Sequence, residues 1–349
     1  MQVRTNRRRF VGAGASIIMS GSILRASAQS GASTPEAAPA SALPQELPSG
    51  GIQADGTWAF TDDLGYTVTA ESAPTKVVSH IGMAAALYDF GFEVVGYYNP
   101  ATDEDGKPLQ IAGDLPLDRV THVGDFNELD IELIIELEAD LFIGQNYSVE
   151  DGGMWPFSDD ALNHIKQAVP VLSFAYGDGV TVVRNIESLE NLAAALGANV
   201  DTPEIATNRE AFFASSADLK SALEEKPDLT AMFLSGSNTG FWVDSSGGAA
   251  TRYYRELGMD IVPAPTTGEV SWEQWLNFPA DILFVDDRVP NWWSPEQLST
   301  DIPVWDRHPA VVAGQVAPWR AQFISSYRGF APVITEVVGW VQDADDSIV

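Results

Sequence analysis

A single uninterrupted helical pattern near the middle of the chain constrains its fold more than any other feature. In residues 181–197, TVVRNIESLENLAAALG, apolar side chains recur every three or four residues, which is the spacing of one helix face. The segment has no proline, is rich in alanine and leucine, and ends at Gly197, a residue type that commonly follows the last helical turn. At about 1.5 Å per residue, such a helix would be roughly 25 Å long.

The sequences on the two sides of this helix resemble each other. Glu132 lies eight residues before Asp140, which opens the apolar run LFIG, and Glu273 lies eight residues before Asp281, which opens ILFV. An alanine precedes each aspartate. Helix-then-strand units can resemble one another by chance, but two similar α/β lobes joined by one helix produce the same pattern.

Strand-like and helix-like segments alternate on both sides of the helix. Apolar runs such as KVVSH, DLFIGQ, TAMFLSG and DILFVDD are separated by helix-like segments, among them SWEQWLNF and the closing YRGFAPVITEVVGWVQD. This alternation predicts parallel sheets with helices on their faces. We therefore predict an α/β fold of two lobes, 57–180 and 198–349, each with a central, mostly parallel sheet flanked by helices and joined by the long helix at 181–197.

The N-terminus is typical of an export signal. Residues 1–28 contain five arginines and no acidic residue, then a mildly apolar stretch and the small residues ASA. The stretch NRRRFV resembles the twin-arginine export motif. Residues 29–56, rich in Ala, Pro, Ser and Gly, are predicted to be a disordered tether. An exported, extracytoplasmic protein is expected, and the sequence leaves open whether the signal is cleaved or retained as an anchor.

Composition excludes several classes of partner and site. The chain has 49 acidic and 19 basic side chains, a net charge of −30. Such a surface repels nucleic acid and anionic lipid, so no nucleic-acid partner is expected. There are no cysteines, which excludes disulfides, thiolate metal sites and a lipid-modified cysteine.

Residues that follow the predicted strands are the candidates for ligand contact. Ligands of open α/β sheets bind beyond the carboxyl ends of the strands, and two facing lobes form a cleft there. The candidates are His80, Tyr98, Tyr147, Tyr176, Trp242, Arg288 and Arg320. Aromatic rings can stack on a large flat ligand, and arginines offer fixed planar donors to an anionic or oxygen-rich one.

Each candidate also has a purely structural interpretation. Arg288 could pair with Asp286 or Asp287, Arg320 could be a surface residue, and the aromatic rings could complete the lobe cores. His80 could ligate iron or donate a hydrogen bond, although a single histidine more often has a structural role.

Enzyme motifs are missing from the sequence. There is no GxSxG elbow, HExxH, P-loop or GxGxxG after a strand. The sequence therefore predicts a protein that is not an enzyme, with no catalytic residues, no metal site and no cofactor.

Several stretches, in their order and spacing, resemble the substrate-binding proteins of ABC importers for iron-siderophores, haem and cobalamin. They are DDLGYTVT, VGDFNELDIELIIELEADLFIG, LNHIKQAVPVL, IESLENLAAALG and IPVWDRHPAVVAGQV, and the resemblance covers about residues 57–340. It implies two α/β lobes bridged by one long helix, and a monomer that binds a small-molecule metal chelate and delivers it to an ABC permease in the membrane. A ferric siderophore is the first expectation for the ligand, cobalamin or haem the second, and a sensor or enzyme on the same fold the third.

The resemblance also implies a role for the two glutamates of the internal repeat. In that family one glutamate on each lobe docks onto basic residues of the permease, and the matching positions are Glu132 within DIELI and Glu273 within SWEQW. The alternative is an exposed carboxylate that stabilises a helix N-terminus. The sequence departs from the family in one respect, since the cysteine that carries the lipid anchor is missing.

Overall fold

Two sheets, one on each side of the central helix, form the framework of the protein. The structure, a computed structural model, describes residues 46–126, 128–147, 154, 156–177, 179–244, 248–263, 268–288 and 292–349. The predicted export signal and most of the predicted tether lie outside these residues. All described residues belong to one compact unit.

A small antiparallel sheet comes first in the chain. Its strands are β1 (Ser49–Ile52), β2 (Trp58–Thr61) and β3 (Thr67–Ala70). Strand β1 lies within the stretch 29–56, so the prediction of a disordered tether is wrong for these residues. Gly50 approaches β2 so closely that a Cβ there would lie 2.1 Å from the carbonyl oxygen of Ala59. The glycine that suggested disorder instead permits close strand pairing.

The strands of the first half are β4 (Val77–His80), β5 (Gly96–Tyr98), β6 (Thr121–His122), β7 (Gly124–Asp125), β8 (Glu128–Leu129), β9 (Leu141–Asn146) and β10 (Val171–Ala175). Five of them form a parallel sheet in the order β10-β9-β4-β5-β6, and β7 and β8 form a separate hairpin. The helices of this half are α1 (Ile81–Asp89), α2 (Ile131–Glu136) and α3 (Asp159–Ala168), with a 3₁₀ turn at Gln110–Ala112.

The second sheet is mixed. Its strands are β11 (Thr230–Gly236), β12 (Gly240–Val243), β13 (Asp260–Ile261), β14 (Val270–Ser271), β15 (Ile282–Asp286) and β16 (Val316–Trp319). Strand β11 pairs in parallel with β13 and β15, β15 pairs in parallel with β16, and β12 is antiparallel to both β11 and β14. The helices are α6 (Ala249–Glu256), α7 (Pro295–Asp301) and α8 (Pro309–Val312), with 3₁₀ helices at Trp272–Asn277 and Trp305–Arg307. Two α/β halves on either side of the central helix agree with the predicted fold class.

Three helices lie between or across the sheets: α4 (Val182–Ala195), α5 (Pro203–Glu225) and α9 (Tyr327–Asp343). The predicted central helix corresponds to α4, whose 14 residues give a length of about 21 Å. Thr181 caps its start by accepting the N–H of Arg184, and Gly197 follows its end with a φ of +98°. A residue with a side chain would be strained in that left-handed conformation.

Alternate side chains of the strands enter different cores. In β11, Ala231 and Phe233 belong to a large core that also contains buried residues of α4, α5 and α9. Met232 and Leu234 belong to a second core on the other face of the sheet. This alternation follows from the two-residue period of a strand. Both faces of β11 are therefore buried, which explains its continuous apolar sequence.

The segment SWEQWLNF forms a 3₁₀ helix at Trp272–Asn277 instead of the predicted α-helix. Trp272 and Trp275 are both buried in the second core and lie three residues apart. A 3₁₀ helix has three residues per turn, so it directs both rings to the same side. The sequence spacing fits either helix type, and tertiary packing selects the tighter one.

The aspartates of the internal repeat occupy equivalent positions in the two sheets. Asp140 precedes β9, and its carboxylate accepts the backbone N–H groups of Thr75 and Lys76, just ahead of β4. Asp281 precedes β15, and its carboxylate accepts the N–H and the hydroxyl of Thr230, the first residue of β11. In each sheet the aspartate joins the starts of two parallel neighbours. The sequence repeat therefore corresponds to a structural repeat.

Helix α9 gives the C-terminal half a second connection to the first half. The rings of Tyr327, at the start of α9, and Phe90, just after α1, meet edge to face with centres 6.1 Å apart. The hydroxyl of Ser326 donates to Asp89 at 2.5 Å, and Arg328 Nη1 lies 3.6 Å from the same carboxylate. Contacts of α9 thus reinforce the connection made by α4.

Candidate ligand-binding site

A cleft of about 470 Å³ lies where the carboxyl ends of the two sheets meet. The strand ends that line it supply His80, Gln145, Tyr147, Tyr176, Arg288 and Trp319. The first four belong to β4, β9, β10 and the residues that follow them, and the last two to the ends of β15 and β16. The cleft is therefore where the general rule for open α/β sheets puts a ligand.

His80 ends β4 and caps α1. Its Nδ1 accepts the backbone N–H of Gly82 at 3.2 Å and lies 3.2 Å from Nε2 of Gln145. An accepting Nδ1 assigns the ring proton to Nε2. The imidazole is buried, and burial lowers its pKa to about 3. His80 is therefore a neutral, fixed ring in the cleft wall.

Two tyrosines form an aromatic part of the wall. The Tyr147 hydroxyl donates to Gln145 Oε1 at 3.3 Å, and its ring meets that of Tyr176 edge to face, with centres 6.4 Å apart. Tyr176 stacks on Phe323 at 6.3 Å, and its hydroxyl is hydrogen-bonded to Ser325. Burial raises the pKa of the Tyr176 hydroxyl, so it stays uncharged. Tyr176 thus joins the first half of the wall to the loop before α9.

Arg288 is held in place by a buried carboxylate. Its Nε donates to both oxygens of Asp286, at 2.8 and 3.1 Å, and its Nη2 donates to Oδ2. The side chain of Asp286 is fully buried and also accepts the hydroxyl of Ser235 at 2.7 Å. Arg288 itself is 30% exposed. The ion pair predicted as the structural alternative is present, and the same arginine lines the cleft.

The described part of the cleft lining carries little net charge. Among the lining residues that the structure describes, Arg288 is the one basic group and Asp244 the one carboxylate. Asp244 accepts the N–H of Gly248 at 3.2 Å and the hydroxyl of Thr251 at 3.3 Å, near the start of α6. Between residues 127 and 291, the stretches that the structure leaves undescribed contain no Lys, Arg or His. A ligand in this cleft therefore meets mainly neutral donors and aromatic rings.

Two predicted cleft residues, Tyr98 and Trp242, lie outside the cleft lining. Tyr98 is fully buried in the core of the first half, where its ring stacks on Phe142 with centres 5.2 Å apart. It is the last residue of β5, and its side chain enters the core that contains Val78 and Phe142. Trp242 lies inside β12 and packs against Trp292, with centres 5.0 Å apart. Since β12 is antiparallel to β11, the rule for the ends of parallel strands does not apply to it. Neither residue lines the cleft.

Arg320 does not line the cleft either. Its Nε and Nη2 donate to Glu336 of α9 at 3.0 and 2.9 Å, and its Nη1 donates to Asp287 at 2.5 Å. Both carboxylates compete with any ligand for this guanidinium. The residue before it, Trp319, lines the cleft instead.

Most of the lining residues were missing from the predicted set, among them Trp319, Asp244, Phe323 and Ile111. Trp319 is the last residue of the predicted strand QVAPW, so the rule for strand ends applies to it as well. Asp244 directly follows β12, which is antiparallel to β11, and that rule does not cover it. Phe323 and Ile111 lie in irregular or 3₁₀ segments with no periodic pattern. For these two, only the folded chain reveals the position.

Glu132 and Glu273 occupy matching exposed positions away from the cleft wall. Each is the second residue of its helix, after a capping residue whose side chain accepts a first-turn N–H. The capping residues are Asp130 and Ser271. No hydrogen bond or ion pair joins either glutamate carboxylate to another described residue. Both are available to an external partner.

A comparison with protein-family models gives a match over most of the chain. The family model described as "Periplasmic binding protein" matches residues 68–323. Among curated proteins, none matches the chain. No helix in the described residues is long and apolar enough to cross a membrane.

Solved structures with the same fold include a ferric-siderophore receptor and an iron-uptake substrate-binding protein. DesE, a ferric-siderophore receptor protein from Streptomyces coelicolor, is 29% identical with a TM-score of 0.77, over 83% of this chain and 99% of DesE. SirA from Staphylococcus aureus, solved with staphyloferrin B, is 17% identical with a TM-score of 0.59, covering 83% and 99%. PiuA from Streptococcus pneumoniae, an iron uptake ABC transporter substrate-binding protein, is 20% identical with a TM-score of 0.59, covering 86% and 99%. At these identities, SirA and PiuA are evidence of a shared fold.

Proposed function

Because the chain belongs to the periplasmic binding protein family, we propose that it captures an iron-siderophore in the interlobe cleft and delivers it to an ABC permease. The observation that carries the proposal is the cleft itself, which lies at the strand ends of both sheets and is lined by aromatic rings and fixed donors. DesE, a ferric-siderophore receptor, supports the ligand class. Capture of this kind requires a preformed, mostly apolar site with a few oriented polar groups.

The charge of the cleft favours one kind of ferric chelate. Arg288 is already paired with Asp286, and the described lining also includes the carboxylate of Asp244, so a strongly anionic ligand finds no excess of basic groups there. Uncharged oxygen-rich chelates can accept hydrogen bonds from Arg288 and from tyrosine hydroxyls. We therefore expect a ferric trihydroxamate to bind more tightly than a ferric tricatecholate.

A binding titration tests the ligand class. Purified protein is titrated with a ferric trihydroxamate, a ferric tricatecholate, haem and cobalamin, with tryptophan fluorescence as the signal because Trp319 lines the cleft. The proposal expects quenching by a ferric siderophore with no change in the ligand itself. Failure of both ferric siderophores to bind would overturn it.

Haem or cobalamin is the second candidate. The rings of Tyr147, Tyr176, Phe323 and Trp319 offer the surface that a large flat ligand needs. In the same titration, tight binding of haem or cobalamin and none of the siderophores would establish this alternative.

Delivery is proposed to use Glu132 and Glu273. Both carboxylates are exposed, and basic residues of a permease would provide the opposite charges. We predict that Glu132→Ala with Glu273→Ala abolishes iron-siderophore uptake by cells and leaves the affinity of the purified protein unchanged. Normal uptake by the double variant would contradict the docking role.

Export is proposed to follow the twin-arginine route, because the N-terminal NRRRFV resembles its motif. Replacing Arg7 and Arg8 by lysine is expected to leave the precursor inside the cell, as judged by fractionation. Normal appearance of the double variant outside the cytoplasm would contradict that route.

A further inference from the structure

An exposed apolar side chain stands three residues after each proposed docking glutamate. Ile135 follows Glu132 in α2 and is 58% exposed, and Leu276 follows Glu273 in the 3₁₀ helix and is 38% exposed. Scattered exposed apolar residues are ordinary on protein surfaces. Here, however, a large aliphatic residue occurs at the same offset from the matching residue in both halves.

The geometry of each helix brings the two side chains onto one face. In α2, residues three apart are neighbours on the surface, and Ile134 makes the buried contact on the other side. In the 3₁₀ helix, residues three apart lie directly above one another. The buried rings of Trp272 and Trp275 hold that helix against the second core, so the opposite face stays outside.

Each half therefore presents a two-residue patch, a carboxylate beside an aliphatic side chain. We name them the α2 patch (Glu132 and Ile135) and the 3₁₀ patch (Glu273 and Leu276). Within the described chain, neither glutamate has an ion pair or a hydrogen bond to its carboxylate. The protein as a whole is strongly acidic, with a net charge of −30, so charge complementarity favours a basic partner.

We propose that Ile135 and Leu276 form the apolar half of the docking surface, and that each patch fits a socket on the membrane permease where an arginine is bordered by apolar surface. An arginine suits both parts of a patch, because its guanidinium pairs with a carboxylate while its aliphatic stem packs on an apolar neighbour. Matching patches on the two halves fit matching sockets, such as two equivalent subunits provide. The inference rests on the proposed delivery function and adds a second, uncharged contribution to it.

The test measures uptake and ligand affinity separately. Cells that lack the protein are supplied with the full chain carrying Ile135→Ser and Leu276→Ser, and are given radioactive iron in the complex that the purified protein binds. Loss of the two apolar contacts that docking would bury is expected to reduce uptake at least about tenfold when the amount of binding protein limits uptake. The affinity of the purified variant for the same complex should stay within about twofold, because the patches lie outside the cleft.

A matched control uses Ile52→Ser, since Ile52 is 61% exposed on β1 and has no such glutamate three residues before it. Cells with this variant should take up iron normally. Cells with the aliphatic exchange Ile135→Leu and Leu276→Ile should keep most of the uptake that the two serine substitutions remove. Normal uptake with Ile135→Ser and Leu276→Ser, while Glu132→Ala with Glu273→Ala abolishes uptake, would overturn the inference and leave the proposed function intact. Normal uptake with both double variants would remove the docking role of the glutamates as well.

Discussion

Arg288 and Arg320 show how the partners of a side chain decide what it can bind. Both follow parallel strands of the second sheet, β15 and β16. The Nε of Arg288 donates to the buried Asp286, and Arg288 still lines the cleft. Arg320 is paired with two carboxylates and does not line the cleft. The same residue type at equivalent strand ends therefore supports two different roles.

Alanine variants should separate these roles. Arg288→Ala is expected to weaken ligand binding about tenfold or more, because a charge-assisted donor in the cleft is lost. It should also lower the free energy of unfolding by about 2 kcal/mol, since the buried Asp286 loses its charged partner and keeps the neutral donors of Ser235 and the residue 288 backbone N–H. Arg320→Ala should change affinity less than about threefold. Fluorescence titration and urea unfolding measure both quantities, and a larger affinity loss for Arg320→Ala would contradict the assignment.

His80 connects the cleft to the stability of the fold. Its folded-state pKa is about 3, against an ordinary value of 6.5, because the ring is buried. Between these values the unfolded chain binds a proton that the folded chain excludes. The unfolding free energy is therefore unaffected by His80 above pH 6.5. Below pH 6.5, protonation of His80 in the unfolded chain lowers the unfolding free energy by about 1.4 kcal/mol per pH unit.

The His80→Asn variant should reveal this dependence. Asparagine keeps an acceptor for the Gly82 N–H but does not titrate. Between pH 7 and pH 5, the wild type should lose about 2 kcal/mol more unfolding free energy than the variant, measured by urea unfolding. Equal losses would show that His80 is protonated in the folded protein.

At the scale of elements, the β2–β3 hairpin protects the open edge of the first sheet. Strand β10 is an edge strand, and its exposed N–H groups need partners. Asp62 accepts the N–H of Ser173 at 2.9 Å, and Asp63 accepts the N–H of Ala175 at 3.0 Å. Asp63 also pairs with Arg184 of α4 at 2.8 Å. The hairpin thus fastens the sheet edge to the central helix.

Asp63→Ala tests this connection. The change removes the acceptor for Ala175 and leaves Arg184, which is largely buried, without its carboxylate. We expect a loss of about 3 kcal/mol in unfolding free energy and faster hydrogen exchange at the Ala175 amide. Asp63→Asn, which keeps an acceptor, should exchange more slowly than Asp63→Ala. Unchanged exchange at Ala175 in Asp63→Ala would contradict the edge-protecting role.

At the scale of the whole molecule, one apolar core runs from the first sheet to the second. It contains Ile143 of β9, Leu189 of α4, Phe212 of α5, Phe330 of α9 and Phe233 of β11. The contacts of α9 with α1 add polar and aromatic links between the halves. A shared core resists separation of the two halves, since opening it would expose apolar surface.

Ligand binding should therefore change the overall shape little. Small-angle X-ray scattering of the protein with and without its ferric ligand is expected to give radii of gyration within about 1 Å of each other. Ser326→Ala, which removes the hydroxyl bonded to Asp89, serves as a comparison with a weakened connection. Compaction of several ångströms on binding would contradict a preformed cleft.

The sequence by itself determined the elements and their repetition. The helical period of 181–197 predicted α4, alternating apolar runs predicted two α/β halves, and the repeat identified Asp140 and Asp281 as equivalent. These features follow from local spacing, which depends only on residues a few positions apart. The same local rule found His80, Tyr147, Tyr176 and Arg288 as cleft residues, because parallel strands end at one edge.

Only the tertiary structure decided which side chains face the cleft and which are already engaged. Arg320 is bound by Glu336, sixteen residues away, and Tyr98 of β5 stacks on Phe142 of β9. Strand β1 forms because β2 provides a pairing partner, although its own composition suggests disorder. Such outcomes depend on contacts between distant parts of the chain, which compete with the local pattern and are not encoded in residue spacing.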